Sequence, residues 1–128
     1  MKTVVFDSSV MIAILKQEPG YEAQQYLGSA LMSTVNLAEV AKKLADFNYE
    51  KTVIQDALDS FAVEAIPFTY EDIQLSAQLS RQTQPYGLSL GDRICLGLGI
   101  SRKLPILTAD KIWKKLEGVL NVDIQLIR

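Results

Sequence analysis

The sequence contains no histidine and a single cysteine, Cys95. The absence of histidine excludes zinc sites of the usual kind, serine–histidine triads and histidine-pair ribonuclease chemistry. One cysteine cannot form an internal disulfide, so we expect a reducing compartment. Positive charge is also scarce, since 13 lysines and arginines stand against 15 aspartates and glutamates. A polyanionic partner would therefore need a local basic patch or bound cations.

Long apolar runs are missing as well. The stretch Ile94–Ser101 is far too short to span a bilayer. Asp7 interrupts the first apolar run before a signal-peptide pattern can form. We therefore expect a cytoplasmic protein without a membrane segment. Its 128 residues, 48% of them hydrophobic, suit one domain with a real core, so we predict a single domain over residues 1–128.

Short apolar runs alternate with amphipathic stretches along the chain. We predict strands at residues 2–6, 63–68, 104–108 and 122–127, with a short strand or extended link at 30–34. We predict helices at residues 8–16, 21–28, 36–48, 50–62, 70–83, 90–102 and 111–117. Cys95 and Trp113 are predicted to be core residues. This alternation predicts an α/β fold with a buried, mostly parallel sheet and helices on both faces.

Two carboxylates follow predicted strands closely. Asp7 comes directly after "TVVF", and Asp110 closes "ILTAD". In open parallel sheets, ligands bind beyond the carboxyl ends of the strands, where the strand order reverses. Each position is also suited to capping the helix that follows, with Thr108 as a second capping candidate before the last helix. For Asp7 taken alone, capping and ligand binding are equally supported.

Two further carboxylates lie within predicted helices. Asp92 belongs to "LSLGDRICLGLGI", a helix that is apolar on nearly every side, so its charge needs a partner. That partner is either a capping box with Ser89 or a cation. Glu39 falls opposite the apolar stripe of its helix, where it can pair with Lys43 or form a capping box with Asn36. Periodicity therefore predicts that Glu39 is a surface residue.

Four motifs together resemble a PIN-domain ribonuclease of the VapC toxin type. They are "VVFDSS", "STVNLAEV", "GLSLGDR" and "LTAD", the last with Trp113 shortly after it. Each motif is weak by itself, but the four follow the family's order and spacing across nearly the whole chain. The resemblance implies a PIN-like three-layer α/β/α fold with a mostly parallel central sheet.

The resemblance also implies a site and partners. In this family the acidic residues converge on one pocket and hold Mg²⁺ or Mn²⁺; here they would be Asp7, Glu39, Asp92 and Asp110. Neighbouring hydroxyls support the site, which points to Ser9 and Thr108, with Ser8 as a secondary candidate. The implied activity is hydrolysis of RNA phosphodiester bonds. The implied partners are a small antitoxin that covers the pocket and a second copy in a homodimer. This implication overrules the surface assignment of Glu39.

Clustered carboxylates need a cation for a simple physical reason. Four of them in one pocket repel each other, and a hard divalent ion relieves the repulsion. Oxygen ligands without histidine or cysteine favour Mg²⁺ or Mn²⁺ over zinc or copper. Such an ion supplies a nucleophile for phosphodiester hydrolysis and neutralises developing charge. The alternative is a catalytically silent PIN-like module that binds RNA or protein, which would leave RNA intact with every metal.

Overall fold

The central sheet is built from five short strands in a computed structural model that describes residues 2–128; Met1, part of the predicted domain, lies outside the described residues. The strands are β1 (Val4–Phe6), β2 (Ala30–Ser33), β3 (Val63–Ile66), β4 (Ile106–Thr108) and β5 (Ile124–Leu126). All neighbouring pairs are parallel, in the order β3-β2-β1-β4-β5. The predicted α/β fold with a parallel sheet is confirmed, and the uncertain segment 30–34 supplies a strand.

Within residues 2–128, five α-helices connect the strands. They are α1 (Ser8–Lys16), α2 (Thr34–Asp46), α3 (Lys51–Ser60), α4 (Tyr70–Gln82) and α5 (Leu90–Arg102). The bounds of α1 and α5 are those predicted. Segments Tyr21–Tyr26 and Lys111–Gly118 are 3₁₀-helices rather than α-helices, as is common for short connectors, and Gln84–Tyr86 is another. No helix within residues 2–128 combines the length and hydrophobicity needed to cross a bilayer.

Helices cover both faces of the sheet because strand side chains alternate between them. Val4 and Phe6 of β1 pack with buried residues of α1 and α2. Val5, between them, joins the opposite cluster with Trp113 and with Cys95 of α5. Cys95 and Trp113 are both fully buried, which confirms their predicted core positions. The arrangement is the three-layer α/β/α architecture that the motifs implied.

Side-chain caps fix where two of the helices begin. The Ser33 hydroxyl accepts a hydrogen bond from the Val35 amide at 3.1 Å, so α2 begins at Thr34, two residues before the predicted start. The capping box predicted for Asn36 and Glu39 is therefore wrong, because Asn36 already lies inside the helix. At the start of α4, the Asp72 carboxylate accepts from the Thr69 amide at 2.7 Å.

The strand order reverses next to β1. From β1 the chain places β2 and then β3 on one side, and afterwards places β4 and β5 on the other. The carboxyl ends of β1 and β4 therefore lie side by side at the point where parallel α/β sheets bind ligands. Asp7 directly follows β1, and Thr108 is the last residue of β4.

Candidate metal centre

Asp7 lies buried at the carboxyl end of β1, with 5% of its surface exposed. It occupies the position before α1, yet its side chain makes no hydrogen bond that caps this helix. Instead, its Oδ2 accepts hydrogen bonds from the Ser9 hydroxyl at 2.6 Å and the Thr108 hydroxyl at 3.0 Å. The capping interpretation of Asp7 is therefore wrong, and its carboxylate is held in place by two hydroxyl groups.

The two hydroxyls are themselves fixed by the backbone after β4. The Ser9 oxygen accepts from the Ala109 amide at 3.0 Å. The Thr108 oxygen accepts from the Asp110 amide at 3.1 Å. Since both oxygens accept from the backbone, their protons are free to point at Asp7. The network joins the start of α1 to the end of β4 through one carboxylate.

The charges of Asp92 and Glu39 act on two buried groups, the Asp7 carboxyl and the Cys95 thiol. Burial raises the pKa of the Asp7 carboxyl, the bonds from Ser9 and Thr108 oppose that rise, and repulsion from Asp92 and Glu39 adds to it. The Cys95 thiol has its pKa raised well above the usual value by burial first, and then by the charges of Asp7, Asp92 and Glu39. Two buried groups thus respond to the same set of carboxylates.

Asp92 lies at the start of α5, where it forms a capping box with Ser89. Its Oδ2 accepts from the Ser89 amide at 3.0 Å, and the Asp92 amide donates to the Ser89 hydroxyl at 3.1 Å. The predicted capping box is confirmed. The capping box uses only Oδ2 of Asp92. Its Oδ1 can therefore interact with a cation while the cap stays in place.

Glu39 is partly buried and faces α5 rather than Lys43. Its Oε1 accepts a hydrogen bond from Nδ2 of Asn36 at 2.7 Å. Asn36 is fully buried, and the same Nδ2 also donates to the Gly91 carbonyl oxygen at 3.1 Å. The ion pairs formed within residues 2–128 do not include Glu39 with Lys43. The surface pair expected from periodicity is therefore wrong.

Asp110 differs from the other three acidic residues. It is exposed, and its Oδ1 accepts from the Ile112 amide at 3.1 Å, which caps the 3₁₀-helix Lys111–Gly118. Its charge is not among those that raise the pKa of Asp7 or Cys95. The cap predicted for Asp110 is confirmed, whereas its role as a metal ligand stays a prediction.

The donor atoms at this place suit a hard divalent cation. They are carboxylate oxygens, the ligands that Mg²⁺ and Mn²⁺ prefer, and repulsion among Asp7, Glu39 and Asp92 is what a cation would relieve. With the side chains as they stand, no three acidic, histidine or cysteine residues within residues 2–128 are close enough together to hold an ion. Binding would therefore require these carboxylates to draw together.

Two residues at the site escaped sequence reasoning. Asn36 was treated only as a helix start, although its spacing of three from Glu39 puts both side chains on one helix face. Gly91 carried no signal beyond the motif "GLSLGDR". Here a Cβ atom on Gly91 would lie 2.6 Å from the Glu39 carboxyl carbon. Neither contact is visible from one segment alone, because it joins α2 to α5.

A sequence model described as PIN domain matches residues 4–119. The chain belongs to the PIN domain family. Among proteins with curated descriptions, none matches this chain significantly. The buried Asp7, the neighbouring Asp92 and Glu39, and the parallel sheet therefore belong to a PIN domain.

Solved structures share the fold of this PIN domain at low sequence identity. A toxin–antitoxin complex from Klebsiella pneumoniae contains a chain 21% identical, with a TM-score of 0.70 and 98% of both chains covered. VapBC2 from Rickettsia felis, bound to a DNA fragment from its promoter, is 18% identical with a TM-score of 0.75, covering 97% of this chain and 98% of that one. DNA-bound VapBC from Salmonella typhimurium is 14% identical with a TM-score of 0.72 and 100% coverage of both chains.

Proposed function

We propose that this PIN domain is a metal-dependent endoribonuclease that hydrolyses RNA phosphodiester bonds, and that it acts as the VapC-type toxin of a toxin–antitoxin pair. The observation that carries the proposal is the buried Asp7 carboxylate, whose pKa is raised by burial and then by Asp92 and Glu39. Three carboxylates that repel one another near the switch point of a parallel sheet would be stabilised by a divalent cation. Membership of the PIN family supports the nuclease assignment.

In this proposal Asp7, Asp92 and Glu39 hold Mg²⁺ or Mn²⁺, and Asp110 adds a fourth carboxylate from the end of β4. When bound, the ion supplies an activated water as nucleophile and offsets the charge that builds up on the phosphate. Ser9 and Thr108 orient the Asp7 carboxylate through the bonds to its Oδ2. These bonds favour the ionised form of Asp7, which is the form able to bind a cation.

The fold relatives and the motifs support a proposal for the partners. The toxin–antitoxin complex from Klebsiella pneumoniae contains a chain that shares this fold over 98% of the present chain, which supports a small antitoxin protein as a partner. We propose that the antitoxin covers the carboxylate site and that the toxin forms a homodimer. A copurification of this chain with the product of a neighbouring small open reading frame would test the antitoxin directly.

Two observations favour the alternative of a silent binding module. Asp92 and Asp110 both cap helices, and no three acidic side chains within residues 2–128 stand within reach of one ion as arranged. A silent module would keep these residues for folding alone. The two functions differ in one measurable property, which is RNA cleavage that depends on a metal.

The deciding experiment incubates purified protein with total RNA and Mg²⁺ or Mn²⁺. We expect cleavage that EDTA stops and that Asp7→Asn abolishes. Sequencing of RNA ends after brief expression of the wild type and Asp7→Asn would identify the target at the same time. RNA left intact with both metals, by a folded protein free of antitoxin, would support the binding module instead.

A further inference from the structure

The Glu39 carboxylate rests against the first turn of α5. A Cβ atom on Gly91 would lie 2.6 Å from the Glu39 carboxyl carbon and 2.9 Å from its Oε1. Real Cβ atoms do not approach other heavy atoms so closely, so only glycine leaves room for the carboxylate in this position. The negative charge also lies near the amino end of α5, where the helix dipole favours it.

Asn36 holds the same carboxylate by a hydrogen bond. Its single Nδ2 donates to Glu39 Oε1 at 2.7 Å and to the Gly91 carbonyl at 3.1 Å. Both partners are acceptors, which fixes the orientation of the amide. The Oδ1 atom is left buried without a hydrogen-bond partner in the described part of the chain. A buried polar atom left unpaired is unfavourable, so the two bonds made by Nδ2 dominate the placement of this side chain.

We propose that Asn36 and Gly91 are positioning residues that set the Glu39 carboxylate beside Asp92 for cation binding. Asn36 draws the carboxylate toward α5, and Gly91 provides the space that it occupies. Neither residue contacts the substrate or the ion in this scheme. The inference rests on the proposed function, because it assigns Glu39 to the metal centre.

Gly91→Ala is the sharpest test because it displaces only the end of a flexible side chain. The added methyl group meets the Glu39 carboxylate, which can swing away without disturbing the backbone, and alanine favours a helix more than glycine does. We expect a melting temperature that is unchanged or higher. Titration calorimetry of Mn²⁺ into the metal-free protein should show affinity reduced ~10–100-fold, as is typical when a group that orients a ligand is lost.

The matched control is Gly118→Ala, since a Cβ atom on Gly118 would meet nothing within 4 Å. It should leave Mn²⁺ affinity unchanged. Asn36→Leu removes the donor at similar volume and should lower both Mn²⁺ affinity and kcat while leaving KM for RNA nearly unchanged. If Asn36→Leu fails to fold, Gly91→Ala decides by itself.

The outcomes separate this inference from the function beneath it. Wild-type Mn²⁺ affinity retained in folded Gly91→Ala would overturn the positioning role and leave the nuclease proposal standing. No Mn²⁺ binding and no RNA cleavage by the wild type would overturn both. Weakened Mn²⁺ binding in Gly91→Ala, with its fold intact and Gly118→Ala unaffected, would support the positioning role.

Discussion

The Thr108 hydroxyl donates a 3.0 Å hydrogen bond to Oδ2 of Asp7, although the two residues lie 101 positions apart in the sequence. The bond connects the carboxyl ends of β1 and β4, which are neighbours in the sheet. It stabilises the ionised carboxylate, whereas burial and the charges of Asp92 and Glu39 favour the protonated form. These effects shift the pKa of Asp7 in opposite directions. A bound cation would lower that pKa and favour the ionised carboxylate.

Thr108→Val removes this donor while keeping a β-branched side chain of similar shape in the strand. We expect the free energy of unfolding to fall by ~1 kcal/mol, because the Asp110 amide also loses its acceptor. RNA cleavage should fall ~10-fold or more through the weakened orientation of Asp7. Thermal unfolding and single-turnover cleavage would measure the two effects.

Thr108→Ser keeps the hydroxyl and should restore most of the cleavage. Thr52→Val, at an exposed position of α3, is the control for a threonine changed elsewhere. Cleavage by Thr108→Val equal to that of the wild type would show that the hydroxyl has no part in orienting Asp7.

Asp7→Asn should stabilise the metal-free protein while it abolishes cleavage. The pKa of Asp7 is raised in the folded state, so its ionisation opposes folding. Protonated Asp7 stabilises the folded state at low pH, and this stabilisation is lost as the pH rises through the raised pKa of Asp7. Asparagine resembles the protonated form at every pH. In EDTA at neutral pH we expect Asp7→Asn to melt a few °C above the wild type.

The pH dependence provides the check on this interpretation. The difference in melting temperature between Asp7→Asn and the wild type should shrink as the pH falls through the raised pKa of folded Asp7 toward the pKa of an unfolded aspartate. Ser8→Ala, which changes the next residue but not the Asp7 carboxylate, should show no such trend. A gap in melting temperature that stays constant from acidic to neutral pH would contradict the role assigned to Asp7 ionisation.

Local signals predicted most of the helices well, and the reason is physical. The bounds of α1 and α5 were predicted because each has a polar residue at its start and an apolar run behind it. Helices were predicted at 21–28 and 111–117, and 3₁₀-helices form at Tyr21–Tyr26 and Lys111–Gly118. Their type was not predicted, because periodicity does not separate a short 3₁₀-helix from an α-helix. The parallel sheet followed from the alternation of strands with helices.

The site was predictable only in part, because its contacts join distant segments. Because Asp7 directly follows a predicted buried strand, its place at the carboxyl edge of the sheet was predicted correctly. Glu39 was misplaced by periodicity, since its side chain reaches α5 through Asn36 and Gly91, and neither partner has a signal of its own. The motif resemblance predicted that Glu39 belongs to a metal pocket, which stays a prediction, whereas the surface pair predicted by the amphipathic pattern of α2 does not form within residues 2–128.

Asp92→Asn and Asp72→Asn form a matched pair, because each aspartate accepts from the backbone amide at the start of its own helix. Asparagine can still accept that bond, so each variant should lose ~1 kcal/mol of stability or less. Of these two aspartates, only Asp92 carries a charge that raises the pKa of Asp7. We therefore expect cleavage to fall ~100-fold in Asp92→Asn and to stay within ~2-fold of the wild type in Asp72→Asn. Equal activity in the two variants would assign Asp92 to capping alone.

Asp110→Asn should have a smaller effect on cleavage than Asp92→Asn. Asp110 is exposed, and its charge does not contribute to the raised pKa of Asp7. The backbone amide of residue 110 keeps its hydrogen bond to the Thr108 hydroxyl in this variant, so any fall in cleavage comes from the lost carboxylate charge. We expect cleavage lowered ~10-fold, measured under the same single-turnover conditions. A loss as large as that of Asp92→Asn would contradict this ranking and show that Asp110 contributes as much to the site as Asp92.

Adding Mn²⁺ or Mg²⁺ should raise the melting temperature of the wild type, because the ion binds the folded state and removes repulsion among Asp7, Glu39 and Asp92. At a free concentration of 100 times Kd the folded state gains ~2.7 kcal/mol. EDTA should reverse the shift, and Asp7→Asn should show little of it. Ca²⁺, a hard cation of larger radius, tests whether the site selects by size. A melting temperature insensitive to all three ions in the wild type would mean that these carboxylates do not close around a cation.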